Sequence, residues 1–333
     1  MDIHKTLSSV RTVILDVNSL PIVSIVRSEE PLKAVSKAID LIGGPERFFN
    51  EKDFVFIKPN VCGGVPGKRG TFTSLDLISA IASMLKSRVK RVAVGEADSS
   101  MYLAERMLKE NGIIDCASRL GVDVVDLSKG DVIEVTVPDG YVLDSIRVSR
   151  TLGEATKIVS APVAKTHITT DVTLNVKNMF GILPERKKGR LHSKIDKILA
   201  DIAKTFPPTL SVVDGTTALE GMGPFHGDPV NLGLVVAGDN AVATDAVVSS
   251  IMGYDPKKIR HLRLASAKGV GPINLDEIEV VGERIEDVRR KFKKAPKERF
   301  SRPLSRIPGL GHLLCHLTYE SAVRAWERKA GAQ

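Results

Sequence analysis

Apolar positions recur along this chain as short β-branched runs separated by stretches with helical spacing. Ile22 to Val26 predicts a first strand. From Pro31 to Ile42, Leu32, Val35, Ala38, Ile39 and Ile42 fall on one side of a helix, which Gly43-Gly44-Pro45 ends. Phe54 to Ile57 predicts a short strand that delivers Lys58-Pro59-Asn60. A Gly-rich loop follows from Cys62 to Gly70, and Thr71, Thr73 and Ser74 offer caps for a helix from about Leu75 to Lys86. Val89 to Val94 predicts a strand ending at Gly95-Glu96. A helix over Tyr102 to Gly112 and a strand over Val122 to Leu127 complete a βαβ series. This alternation predicts an α/β protein whose mostly parallel sheets are covered by helices. Two Rossmann-like lobes, 1–150 and 151–283, are expected around a central cleft, with a basic helical appendage over 284–333. Ligands of such folds gather at the C-terminal ends of the strands.

The stretch from Lys157 to His192 carries the densest chemistry. Ile158 to Val163, broken by Pro162, predicts a buried strand with Lys165, Thr166 and His167 at its end. Thr169 or Thr170 then caps an expected helix on which Asp171, Asn175 and Asn178 share one face. Gly181 serves as its C-cap, and a basic loop from Glu185 to Arg190 leads to His192. Exposed helices favour Glu, Lys, Gln and Arg, because Asn and Asp compete with the helical backbone. An Asp/Asn/Asn stripe flanked by Lys165, His167 and Lys177 therefore reads as a site. Other polar residues are expected at strand ends: Lys58 and Asn60, Glu96 and Asp98, Asp214 and Glu220 after Leu210 to Val213, and Asp239 after Leu232 to Ala237. Val213 to Pro224 is expected to be a turn in which small residues surround two carboxylates, with His226 behind. Lys165, His167, Lys177 and His192 are the candidates for chemistry. Lys58, Asn60, Thr73, Asn178, Asp214 and Glu220 are the candidates for holding a ligand or cofactor.

Composition narrows the class. With 43% hydrophobic and 26% charged residues, the chain is of ordinary globular character. Its apolar runs fall far short of the roughly 20 residues a membrane span needs. The start, MDIHKTLSSVRTV, lacks the apolar core of a signal peptide, so a cytoplasmic location is expected. Cys62, Cys116 and Cys315 are far apart, which leaves no CxxC zinc site and no iron–sulfur cluster motif. The net charge of +8 lies wholly in the tail: from Arg284 onward there are 13 Lys/Arg against 5 Asp/Glu, and the preceding residues hold 35 of each.

Two loops invite a phosphate reading. However, GGVPGKRGT lacks the P-loop Ser or Thr after Lys68, and Gly221-Met222-Gly223 lacks the third glycine of a dinucleotide fingerprint.

The ordered blocks IKPN, APVAKTH, LNVKNMFG, His192, VDG, EGMGP and DNAVATDAV resemble the bacterial and archaeal domain-of-unknown-function family 362 over about Val23 to Gly282. Members of that family are often fused to ferredoxin-like iron–sulfur modules, so the resemblance implies a separate ferredoxin-like protein as a partner. The block order is also remotely similar to the lactate racemase family, whose members use a nickel-pincer nucleotide held by Lys and His.

Two chemistries fit the residues themselves. In one, Lys165 or Lys177 neutralises an anionic small molecule while His167 acts as general acid or base. In the other, some of His167, His192, Asp214, Glu220 and His226 hold a divalent metal. A non-enzymatic alternative rests on the basic run 289–306, interleaved with Phe292 and Phe300, which suits nucleic acid phosphates or an anionic membrane surface. The amphipathic stretch from Leu310 to Trp326 suits docking on the body, on a second copy as a homodimer, or on a membrane.

Overall fold

The computed structural model describes residues 19–27, 30–61, 67–186 and 188–295. In chain order the strands are β1 (Ile22–Arg27), β2 (Phe54–Pro59), β3 (Arg91–Glu96), β4 (Asp123–Asp126), β5 (Val132–Thr136), β6 (Ser145–Ser149), β7 (Lys157–Ala161), β8 (Val163–His167), β9 (Asp171–Thr173), β10 (Leu210–Glu220), β11 (Asp228–Val230), β12 (Leu234–Gly238) and β13 (Glu279–Gly282). The helices are α1 (Pro31–Asp40), α2 (Leu75–Lys86), α3 (Ala104–Glu110), α4 (Ile113–Leu120), α5 (Arg150–Glu154), α6 (Asn175–Asn178), α7 (Ile195–Thr205), α8 (Ala241–Ile251), α9 (Arg260–Ala267) and α10 (Ile285–Val288).

Among the described residues eleven strands form one sheet, ordered β13-β1-β12-β10-β7-β2-β3-β4, with β8 and β11 branching from β10 and β9 pairing with β8. β5 and β6 form a separate antiparallel hairpin. From β7 out to the edge strand β4, the strands β7, β2, β3 and β4 are parallel neighbours. Strands from either side of residue 150 thus lie side by side in one sheet.

Alternation along β2 shows how the layers are built. Val55 and Ile57 enter a core with Val35 of α1, Leu77 and Ile81 of α2 and Met107 of α3. Phe54 and Phe56 enter the opposite core with Ile198 and Leu199 of α7, Val247 of α8 and Leu262 of α9. Period-two side chains buried on both faces are what a helix-covered parallel strand requires.

Pro162 divides the central run as its missing N–H demands. β7 ends before it and β8 begins after it. β10 pairs with β7 at Leu210 and Ser211, then with β8 from Asp214 onward. The Asp214 N–H donates to the Pro162 carbonyl at 2.8 Å and bridges the break. Lys165 and His167 consequently lie on a strand of their own rather than beyond the end of one.

Two expected elements differ. The helix anticipated from Thr169 is a β8–β9 hairpin followed by a single turn, α6, so Asp171 belongs to a strand and does not share a helical face with Asn178. Thr169, Thr170, Val172 and Thr173 are β-branched, which disfavours helix and suits a strand. Asp171 takes the left-handed conformation, φ 66°, which Asp tolerates better than most residues. The turn expected over Val213 to Pro224 is strand as far as Glu220. Gly215 lies there because a Cβ would sit 2.9 Å from the Leu234 carbonyl oxygen of β12. The basic run beyond 295, Cys62 and the amphipathic stretch from Leu310 to Trp326 lie outside the described residues.

Candidate functional site

The C-terminal ends of β2, β3 and β7 hold the base of a buried, lysine-rich cluster. Lys58 follows Phe56 by two positions and shares its face. It is completely buried, and its Nζ lies 2.7 Å from Oε1 of Glu96, itself 3% exposed. Glu96 also accepts from the Val61 N–H at 3.2 Å and the Ala97 N–H at 3.1 Å. These bonds hold the carboxylate in place against the lysine. Gly181 packs directly over the pair: a Cβ there would sit 2.4 Å from Glu96 Oε1 and 2.8 Å from Lys58 Nζ. It lies in a short 3-10 turn, Met179–Ile182, so its role is close approach and not the helix cap its position predicts.

Around this base run hydrogen bonds that tie strand ends together. Asn178 Nδ2 donates to the Lys58 carbonyl at 2.8 Å and to Ser160 Oγ at 3.2 Å. Asn60 Nδ2 reaches Asn178 Oδ1 at 3.4 Å. Thr73 Oγ1 accepts from the Asn60 N–H at 2.9 Å and donates to the Ala161 carbonyl at 2.6 Å. Asp214 accepts from the Ser74 N–H at 2.8 Å, where Ser74 caps α2, and from Thr216 Oγ1 at 2.6 Å. Thr73 and Asp214 therefore act as ties beside the cluster. Glu220 stands apart: its carboxylate accepts from the Lys293 N–H at 2.9 Å and lies 3.6 Å from Lys293 Nζ.

Lys165 of β8 is completely buried and donates to the Thr71 carbonyl at 2.7 Å. Burial lowers its pKa to about 7, reinforced by Lys177 and Lys58 and opposed by Glu96. Lys177 of α6 is half-buried, with Nζ 4.8 Å from the centre of the Phe180 ring. Burial and then repulsion from Lys188 lower it to about 8, against Glu96. His192 meets the edge of that ring, with centroids 5.8 Å apart, and burial followed by Lys177 lowers it to about 4. His167, 7% exposed, is pushed well below its ordinary value by burial and then by Lys177. Its Nδ1 accepts from the Thr169 N–H at 3.1 Å and the Thr170 N–H at 3.4 Å. The proton of this neutral ring consequently sits on Nε2, which makes His167 a hydrogen-bond donor rather than a base.

The structure thus brings Lys58, Asn60, Lys165, His167, Lys177, Asn178 and His192 into one neighbourhood. Three residues that carry it escaped selection from the sequence. Glu96 was visible as a strand-end acid, but its pairing with Lys58 is a tertiary fact. Lys188, 4% exposed, lay in what read as a solvated basic loop. Asp245, fully buried on α8, accepts at 2.8 Å from the N–H and Nδ2 of Asn175 and from the Val176 N–H, so it anchors α6 and with it Lys177. Burial outweighs those three bonds and raises Asp245 to about 7. Among the described residues no three His, Cys, Asp or Glu side chains converge as metal ligands, so the divalent-metal arrangement finds no donor set there. Nor is any described helix long and apolar enough to cross a membrane.

The family model described as Domain of unknown function (DUF362) matches residues 55–250. A thylakoid-associated protein of Synechocystis is 28% identical over 249 residues, 72% of this chain and 76% of that protein. Among solved structures, the lactate racemase apoprotein from Thermoanaerobacterium thermosaccharolyticum aligns with a TM-score of 0.44 and 13% identity. That alignment covers 74% of this chain and 56% of the racemase chain, so this chain spans little more than half of that neighbour. A structural-genomics target from Thermotoga maritima aligns with a TM-score of 0.31 and 11% identity, over 56% of this chain and 51% of that one. The family segment runs from β2 to α8 and so contains Lys58, Glu96, Lys165, Lys177 and Asp245; this chain belongs to the DUF362 family.

Proposed function

We propose that the cluster binds an anionic small molecule, or the anionic group of a cofactor, and performs acid–base chemistry on it. One observation carries this reading. Burial and mutual repulsion lower both Lys165 and Lys177, and the acidic charge acting on the two is Glu96. An anion placed among them would relieve the repulsion and raise both lysines, because an opposite charge favours the charged form. In the resulting division of labour Lys177 is the fixed cation. His167 donates from Nε2 to an oxygen of the ligand. Lys165, at about 7 in the empty site, takes up a proton as the anion binds and is then placed to give it to the ligand.

The test is calorimetric binding of inorganic phosphate at pH 6 and pH 8, in buffers of different ionisation enthalpy. Lys165 at about 7 and Lys177 at about 8 are protonated at pH 6 and partly deprotonated at pH 8. Proton uptake on binding is expected at pH 8 and not at pH 6, with binding lost in Lys177→Gln. Binding without uptake at pH 8 overturns the proton-linked part, and undiminished binding by Lys177→Gln overturns the site.

A second reading is supported by the name of the Synechocystis relative: attachment to an anionic membrane surface through the basic stretch from Arg289. Arg289, Arg290 and Lys291 are exposed, whereas Phe292 is buried in the core and anchors the stretch to the body. Co-sedimentation with phosphatidylserine vesicles, weakened by Arg289→Gln/Arg290→Gln/Lys291→Gln, supports it, and equal binding by that variant removes it.

A further inference from the structure

His261 lies in the first turn of α9, is completely buried, and has no hydrogen-bond partner on either ring nitrogen among the described residues. The other two imidazoles of the neighbourhood differ. His167 Nδ1 takes two backbone N–H groups, and His192 Nδ1 donates to the Lys188 carbonyl at 3.3 Å. A buried imidazole normally finds a partner, because leaving its N–H and lone pair unmatched is costly while a phenyl ring fills similar space without that penalty.

Its position supplies a reason. α9 packs along α7, and α7 packs on α6, the turn that carries Lys177. Lys177 is the charge that acts on His261, and His261 in turn acts on His167. The orphaned ring thus lies within electrostatic reach of both the cation and the hydrogen-bond donor assigned to the ligand.

We propose that His261 is a wall of the same site and reads a neutral hydrogen-bonding group, a hydroxyl or carbonyl, that the ligand carries beside its anionic group. This rests on the anion-binding reading and narrows it: the ligand is a substituted oxyanion rather than a bare one. Burial lowers His261 to about 3, so the ring is neutral throughout the physiological range and recognises by hydrogen bonding, not by charge.

The experiment compares inorganic phosphate with glycerol 3-phosphate by titration calorimetry, on the full chain and on His261→Phe. The full chain is expected to prefer glycerol 3-phosphate by about tenfold, the scale of one hydrogen bond inside a protein. His261→Phe is expected to lose that preference while binding inorganic phosphate within about twofold of the full chain. His261→Asn, which keeps a donor and an acceptor in less volume, is a second variant in case the phenyl ring does not fit, and it is expected to retain part of the preference. Absence of a preference in the full chain, or an unchanged preference in His261→Phe, overturns this inference and leaves anion binding standing. No binding of either anion by the full chain overturns both.

Discussion

Gly181→Ala is the sharpest probe of how the cluster is packed. A glycine exchanged for alanine at a compatible backbone position commonly stabilises a protein by about 0.4–1 kcal/mol, because it restricts the unfolded chain. Gly181 has no positive φ to forbid alanine, so the backbone allows the exchange; the neighbours do not. The added methyl would lie 2.4 Å from Glu96 Oε1, 2.8 Å from Lys58 Nζ and 3.0 Å from Lys58 Cε. Ordinary contact needs about 1 Å more, so the carboxylate must retreat from the lysine and from the Val61 and Ala97 N–H groups that hold it. Overpacking costs about 1–3 kcal/mol, and a weakened hydrogen bond to a charged group about 1.5–3 kcal/mol. A net loss of about 3 kcal/mol is expected, read from urea unfolding followed by far-ultraviolet circular dichroism at constant m-value. Gly189→Ala is the control, since its added Cβ would meet only Ser100 Oγ at 3.7 Å. A Gly181→Ala protein as stable as wild type would refute the packing of Gly181 against the pair.

Two further outcomes follow from the buried charges. Lys58→Met alone leaves Glu96 without its cation and is expected to cost about 3–5 kcal/mol, whereas Lys58→Met with Glu96→Leu recovers most of that loss; additive losses in denaturant titration would contradict a coupled pair. His192 and His261 have folded-state values of about 4 and about 3, both below the ordinary 6.5, so the unfolded chain binds more protons below pH 6.5. Their stabilisation is full above 6.5 and is lost as pH falls towards those values, His261 contributing about 5 kcal/mol at the limit. His261→Phe should flatten the acid limb of a stability–pH curve, and an unchanged limb would show that the ring is not buried as described.

Local pattern reached most of the fold. Alternation and helical spacing placed β1, β2, β3, β12, α1 and α2 within a few residues, because each buries its own apolar face. The same local reasoning missed the strand over Asp171–Thr173 and the continuation of β10 from Asp214 to Glu220, although it placed the start of β10 at Leu210. There polar residues with low helix propensity fold as strands, since β8, β9 and β10 satisfy one another across the break at Pro162. Lys165, His167 and Lys177 stood out as lysines and a histidine in unusual company. Glu96, Lys188, Asp245 and His261 did not, because their significance arises from burial and from partners distant in sequence: Asp245 caps a turn 70 residues away. Thr73, Asp214 and Glu220 accept hydrogen bonds from the backbone N–H groups of Asn60, Ser74 and Lys293, partners that sequence spacing does not reveal.

Native mass spectrometry of the freshly purified full chain, beside Lys165→Ala/His167→Ala, reads out whether the lysine cluster holds an anion. An anionic adduct is expected on the wild-type protein and is expected to be absent from an equally folded variant. An adduct retained at the same occupancy after both substitutions would place the ligand elsewhere and contradict that expectation.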